Sequence, residues 1–177
     1  MRVFWSKGFE GASLTDLTEA MGITRPSLYA AFGNKEALFH KALDLYERDK
    51  MAYVAEALEA PTARGVAERF LRGALAMQTG SDPKGCLSVI STVACGGENA
   101  SIKADVMARG AFTSAAMIRR FEQAKSEGDL PDSIEPAALQ RYLMAVMQGL
   151  AVQAGSDATI DELERLVETT LALWPGR

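Results

Sequence analysis

Between Ser13 and Phe32 the chain carries two apolar stripes at helical spacing, Leu14-Leu17-Met21 and Leu28-Phe32, with Gly22 between them. Neither stretch is long enough to hold a helix alone, because isolated helices below roughly 12–15 residues are marginal in water. They must fold against each other, and a short turn containing glycine lets two helices meet at a steep angle. The ends are written into the sequence. Ser13 and Asp16 form a capping box, Gly22 stops the first helix, and Thr24 caps the second, with Pro26 tolerated in its first turn. Gly33-Asn34 closes that helix and begins the next.

The rest of the chain is helical in pattern too, with no run of alternating β-branched or aromatic residues between turns. Val3, Phe4 and Trp5 run into Gly8-Phe9, the form of a closing glycine followed by an apolar residue. Asn34 caps a long third helix whose apolar face, Leu38-Ala42-Leu45 and Phe39-Leu43-Tyr46, continues to about Leu58, before Pro61. Beyond it Val66, Phe70, Ala74 and Met77 recur at helical spacing. The spacing further predicts helices over Cys86 to Ala94, stopped by Gly96-Gly97, then Ala100 to Glu127, Pro136 to Ala154, and Ile160 to Leu173 behind a second capping box, Thr159 and Glu162. The expected fold is all-α. A three-helix head with a helix-turn-helix occupies residues 1–45, and a helical domain occupies 46–177.

Composition narrows the function. One histidine, His40, and two cysteines, Cys86 and Cys95, cannot supply a four-ligand zinc site or a disulfide framework, and a reduced cytoplasmic setting fits them best. The most apolar stretch, Tyr142 to Gly155, is broken by Gln148 and Gln153, so no membrane span is expected. The first residues contain no secretory apolar core. No phosphate-binding or dinucleotide glycine motif occurs, and His40 has no nucleophile placed beside it. An enzyme is not expected, nor a metal or cofactor.

In a helix-turn-helix the second helix enters the major groove, whose ~12 Å width admits it. If Leu28 and Phe32 pack against Leu17 and Met21, then Pro26 and Ala30 face outward, flanked by Ser27 and Tyr29. Arg25, at the helix start, can reach a guanine edge or a phosphate, with a plain solvated charge as the alternative. Ala30 suits a thymine methyl, and Ser27 a base or phosphate. Tyr29 flanks the apolar stripe and has a packing alternative. Thr24 and Lys35 are candidate phosphate contacts, Lys35 in the first turn of the next helix. Ser13 is a cap first, with DNA contact secondary. From Gly22 to Lys41 there are three basic residues and one acidic one, a positive patch within a chain of net charge −4.

The run from Phe4 to Leu43, with KGF, LTDLTEAMGI and SLYAAFGNKEALF in that order, resembles the DNA-binding head of the TetR (tetracycline-repressor) family of bacterial transcriptional regulators. The resemblance implies nine helices, of which three form the DNA-binding head, a dimer built mainly by the last two, and a ligand pocket enclosed by the middle ones. Family members begin earlier, with a basic arm, so the first turns of helix one are expected to precede residue 1. Many members carry an aromatic residue or histidine where Ala30 and Ala31 stand here, which leaves backbone contacts to Thr24, Tyr29 and Lys35.

For an effector pocket the candidates are Phe70, Met77, Cys86, Met107, Phe112, Tyr142 and Met147, a methionine-rich and aromatic set suited to an adaptable apolar lining. Leu143, Leu150, Leu163, Leu166 and Leu171 form stripes on the last two helices that a partner copy could cover. Cys86 and Cys95 read as small buried hydrophobes, or Cys86 as a thiol sensor at a helix N-terminus. The expected function is a ligand-responsive DNA-binding transcriptional regulator. It would be a repressor that binds a double-stranded, pseudo-palindromic operator as a homodimer and is released by a small apolar or amphipathic effector. The alternatives are a helical interaction protein without specific DNA binding and a redox-sensing regulator using Cys86.

Overall fold

The computed structural model describes residues 1–94 and 99–176. Cys95 and the expected stop at Gly96-Gly97 lie outside the described residues. Among those described there are ten α-helices and no strand: α1 (Arg2–Gly11), α2 (Leu14–Met21), α3 (Arg25–Phe32), α4 (Lys35–Lys50), α5 (Ala52–Leu58), α6 (Ala63–Ala76), α7 (Leu87–Ala94), α8 (Ala100–Ser126), α9 (Pro136–Gly155) and α10 (Ile160–Ala172).

The helices start where side chains can satisfy free backbone N–H groups. Ser13 and Thr159 form complete capping boxes with Asp16 and Glu162. Thr24, Asn34 and Thr62 cap α3, α4 and α6 with single side-chain bonds. Gly22 ends α2 in the left-handed region, at φ 64°, which glycine enters without steric cost. Gly8, at φ 70° and ψ 178°, interrupts α1 rather than ending it, and one further turn reaches Gly11. That break folds Phe9 back beside Phe4, and both rings meet Phe39 edge-on with centroids 5.1 Å away.

Two apolar cores result. The first joins Phe4, Trp5, Leu17, Leu28, Phe39, Leu43 and Tyr46 of α1–α4 to Cys86, Leu87, Ile102, Val106 and Ala151. The second holds Val54 and Ala57 of α5 with Phe70, Leu71, Met117, Phe121, Leu143, Leu150, Leu163 and Trp174. Met51 packs against both. This explains a departure from the single long helix expected between Asn34 and Leu58. The chain leaves helical geometry at Met51 (φ −105°, ψ 9°), so α4 faces one core and α5 turns into the other.

The stripe expected to seat the two short helices is also redrawn. Leu17 and Leu28 are buried and Leu14 and Phe32 partly so, but Met21 is 40% exposed. Gly22 ends the helix one residue later, and Ile23, whose N–H donates to the Thr18 carbonyl, turns into the core in its place.

Candidate nucleic-acid interface

In α3 only Leu28 is fully buried, and it seats the helix on the head's core. That leaves Arg25, Pro26, Ser27, Tyr29 and Ala30 exposed on the outer side, with Thr24 exposed just ahead of them. Tyr29 is 46% exposed, so its ring lies outside the core. The helix sequence, RPSLYAAF, contains no acid. The Thr24 hydroxyl accepts from the Ser27 backbone N–H and lies 3.0 Å from the Ser27 hydroxyl, which ties the start of α3 together.

The flanking residues are held in place. Ser13 is exposed, but its hydroxyl both accepts from the Asp16 N–H and donates to the Asp16 carboxylate. The Lys7 ammonium lies 2.6 Å from that carboxylate. Together with the Ser13 hydrogen bonds, it holds the Asp16 carboxyl down at about 2. The Asp16 charge is therefore paired locally with Lys7. Lys35 is partly buried, with its Nζ 4.6 Å from the centroid of the Phe9 ring. Burial lowers its pKa against the opposing pull of Glu10. One contact was not legible from spacing: Arg25 Nη2 donates to Thr15 Oγ1 at 2.8 Å, linking α3 to the first turn of α2. The available signal was position, since Thr15 follows the cap by two residues on a helix that must cross α3.

The head is joined to the remaining helices by polar contacts on two sides. On one, Trp5 Nε1 donates to the Gly85 carbonyl at 3.2 Å, and the buried Gln78 side chain brackets Gly85 from its N–H to its carbonyl. Asp82 pairs with Arg2 and Lys50, and the Tyr46 hydroxyl donates to Cys86 Sγ at 3.5 Å. Burial pushes the Tyr46 phenol far above its ordinary range. On the other side, Arg109 of α8 pairs with Asp44 and Glu47 of α4, and His40 lies 3.0 Å from Asp105. Partial burial works against the ionised form of Asp105, but hydrogen bonds from Arg109 and His40 outweigh it and hold the carboxyl below its usual value.

The candidate effector residues are dispersed. Phe70 and Met147 lie in the second core, while Cys86 is buried at the head's core and Met77 partly so. Met107, Phe112 and Tyr142 are 59%, 81% and 44% exposed. A cleft of about 630 Å³ lies between α5 and α6, lined by Tyr53, Pro61, Glu68 and Arg69 among others, and none of the seven candidates borders it. Of the candidate dimer residues, Leu143, Leu150, Leu163 and Leu171 are buried within this one chain and Leu166 is half-buried. The exposed residues of α9 are instead Ala138, Arg141, Tyr142, Ala145, Gln148, Val152, Gln153 and Gly155. Among the described residues no helix is long and apolar enough to cross a membrane.

Residues 1–42 match the family model described as bacterial regulatory proteins, tetR family. The chain is 31% identical over 179 residues to the HTH-type transcriptional repressor ComR of Escherichia coli, covering 99% of this chain and 85% of that protein. It is 30% identical over 176 residues to the HTH-type transcriptional regulator YezE of Bacillus subtilis, covering 98% and 91%. Its fold superimposes with a TM-score of 0.90 on a cysteine-substituted TetR-family regulator, CifR, solved with a 26-base-pair operator duplex. The two chains are 36% identical over 98% of this chain and 92% of CifR. With the exposed, acid-free α3 of a capped helix-turn-helix and relatives matched along almost the whole chain, this protein belongs to the TetR family of DNA-binding transcriptional regulators.

Proposed function

We propose that the protein is a cytoplasmic repressor that binds a pseudo-palindromic operator as a homodimer and is released by a small apolar or amphipathic effector. The observation that carries this reading is the outer face of α3, where Arg25, Ser27, Tyr29 and Ala30 stand exposed with no acid among them. Arg25 and Ser27 supply hydrogen bonds, and Pro26 and Ala30 supply close apolar contact with base edges. Thr24, Tyr29 and Lys35 provide backbone contacts. Ser13 contributes by holding the first turn of α2 in place. Two copies place their α3 helices roughly 34–36 Å apart to reach successive major grooves.

The exposed Ala138, Tyr142, Ala145 and Val152 of α9, bordered by Arg141 and Gln148, support pairing of two copies through this helix, with the half-buried Leu166 of α10 as a further candidate. CifR, which shares this fold, is solved on its operator. An effector in the helices beyond α4 acts by favouring one arrangement of the head, through the contacts that Gly85, Cys86, Asp105 and Arg109 make with α1 and α4. Phe70, Met77, Cys86, Met107, Phe112, Tyr142 and Met147 remain the candidate residues for an effector lining.

The test is fluorescence anisotropy of the full-length protein on DNA from upstream of its own gene and on a scrambled duplex, at several salt concentrations. A preference of at least ~10³-fold for the first, with a steep salt slope, supports the operator reading. Equal and weak binding to both sinks it. Light scattering at micromolar concentration checks the stoichiometry, and a monomer would sink the dimer.

A further inference from the structure

We propose that Thr15, on α2, is a positioning residue for sequence reading by α3: its hydroxyl fixes the Arg25 guanidinium so that one intact edge of the fork is presented to a guanine in the major groove. The proposal rests on α3 being the helix that enters the groove.

Arg25 Nη2 donates to Thr15 Oγ1 at 2.8 Å, between residues ten apart in sequence on different helices. Both residues are exposed, so this bond does not satisfy a buried group. Among the described residues no carboxylate pairs with Arg25, and Asp16, beside Thr15, is committed to Lys7 and Ser13. The guanidinium is therefore held without being neutralised. Of its five N–H donors one is used, and because each Nη carries hydrogens on two edges, one edge of two parallel N–H groups stays complete. Such an edge matches O6 and N7 of guanine.

A long side chain at an exposed helix start loses rotamer freedom when it docks, and a side chain already held loses less. Threonine suits this purpose, since its branched Cβ restricts χ1. The Thr15 oxygen accepts from Arg25 and still carries its own O–H.

The experiment is selection from a pool of random-sequence double-stranded DNA, using the full-length protein and the variants Thr15→Val, Thr15→Ser and Arg25→Ala, with melting temperatures as a fold control. The parent motif is expected to hold a guanine in each half-site whose preference disappears in Arg25→Ala. Thr15→Val is expected to lower the preference at that same position about tenfold or more, with the other positions and the salt slope unchanged. Thr15→Ser retains the preference, and Thr15→Val added to Arg25→Ala does nothing further. A parent motif in Thr15→Val, or an even loss across all positions, overturns the role of Thr15 while leaving Arg25 as a reader. An unchanged motif in Arg25→Ala, or no motif with the parent protein, overturns the reading beneath it and the proposal with it.

Discussion

Asp16 accepts from the Ser13 N–H and hydroxyl and from Lys7, and all three contacts favour its charged form. Its carboxyl sits at about 2 when folded against an ordinary 3.8. A depressed carboxyl contributes stability that is complete above the unfolded value and is lost as pH falls through the folded one. Melting temperatures recorded between pH 6 and pH 2 should therefore fall more steeply for the parent than for Asp16→Asn below about pH 4. Parallel curves would remove Asp16 from the acid response. Gly73 makes a second case, because a Cβ there would lie 2.3 Å from the Tyr53 ring. Glycine to alanine inside a helix normally stabilises, yet here overpacking should reverse the sign. Gly73→Ala is expected to lose about 1–3 kcal/mol in urea unfolding.

Among the elements, α3 depends most on its neighbours, having eight residues, one hydroxyl cap and one fully buried side chain. Truncating Leu28 to alanine should cost about 2–5 kcal/mol and remove specific DNA binding before it removes most of the helical circular dichroism. Retained operator affinity would show that α3 is seated by something other than Leu28. The helix ends were legible because Ser13, Gly22, Thr24, Asn34 and Thr159 each act on backbone within their own turn. The break at Met51 was not, since no proline or glycine marks it. Two cores draw α4 and α5 in different directions, and only the assembled molecule contains both. Met21 misled for a related reason: its spacing fits the stripe, but it is the last residue of α2, and beyond Gly22 the chain turns Ile23 into the core in its place.

At the scale of the whole molecule, periodicity identifies an apolar face without naming what covers it. Leu143, Leu150 and Leu163 are covered by helices of their own chain, whereas Phe112 and Met107 of α8 are exposed, although all carry the same sequence signal. The outer face of α3 was easier to read, because Leu28 alone fixes which side of so short a helix turns inward. The head's packing does not stop at residue 45 either. Leu87, Ile102, Val106 and Ala151 complete its core. A fragment of residues 1–50 is accordingly expected to be largely unfolded by circular dichroism, and the full chain to melt in one calorimetric transition. Two separate transitions, or a folded fragment, would show that the head needs none of those side chains.

The two tryptophans divide between the two cores, Trp5 in the head's and Trp174 in the other. Each half of the molecule thus carries its own intrinsic fluorophore. Trp5→Phe and Trp174→Phe each leave a single tryptophan, so with excitation at the red edge, where tyrosine does not absorb, a disturbance that begins at the duplex and one that begins among the distal helices can be timed separately, without an added dye.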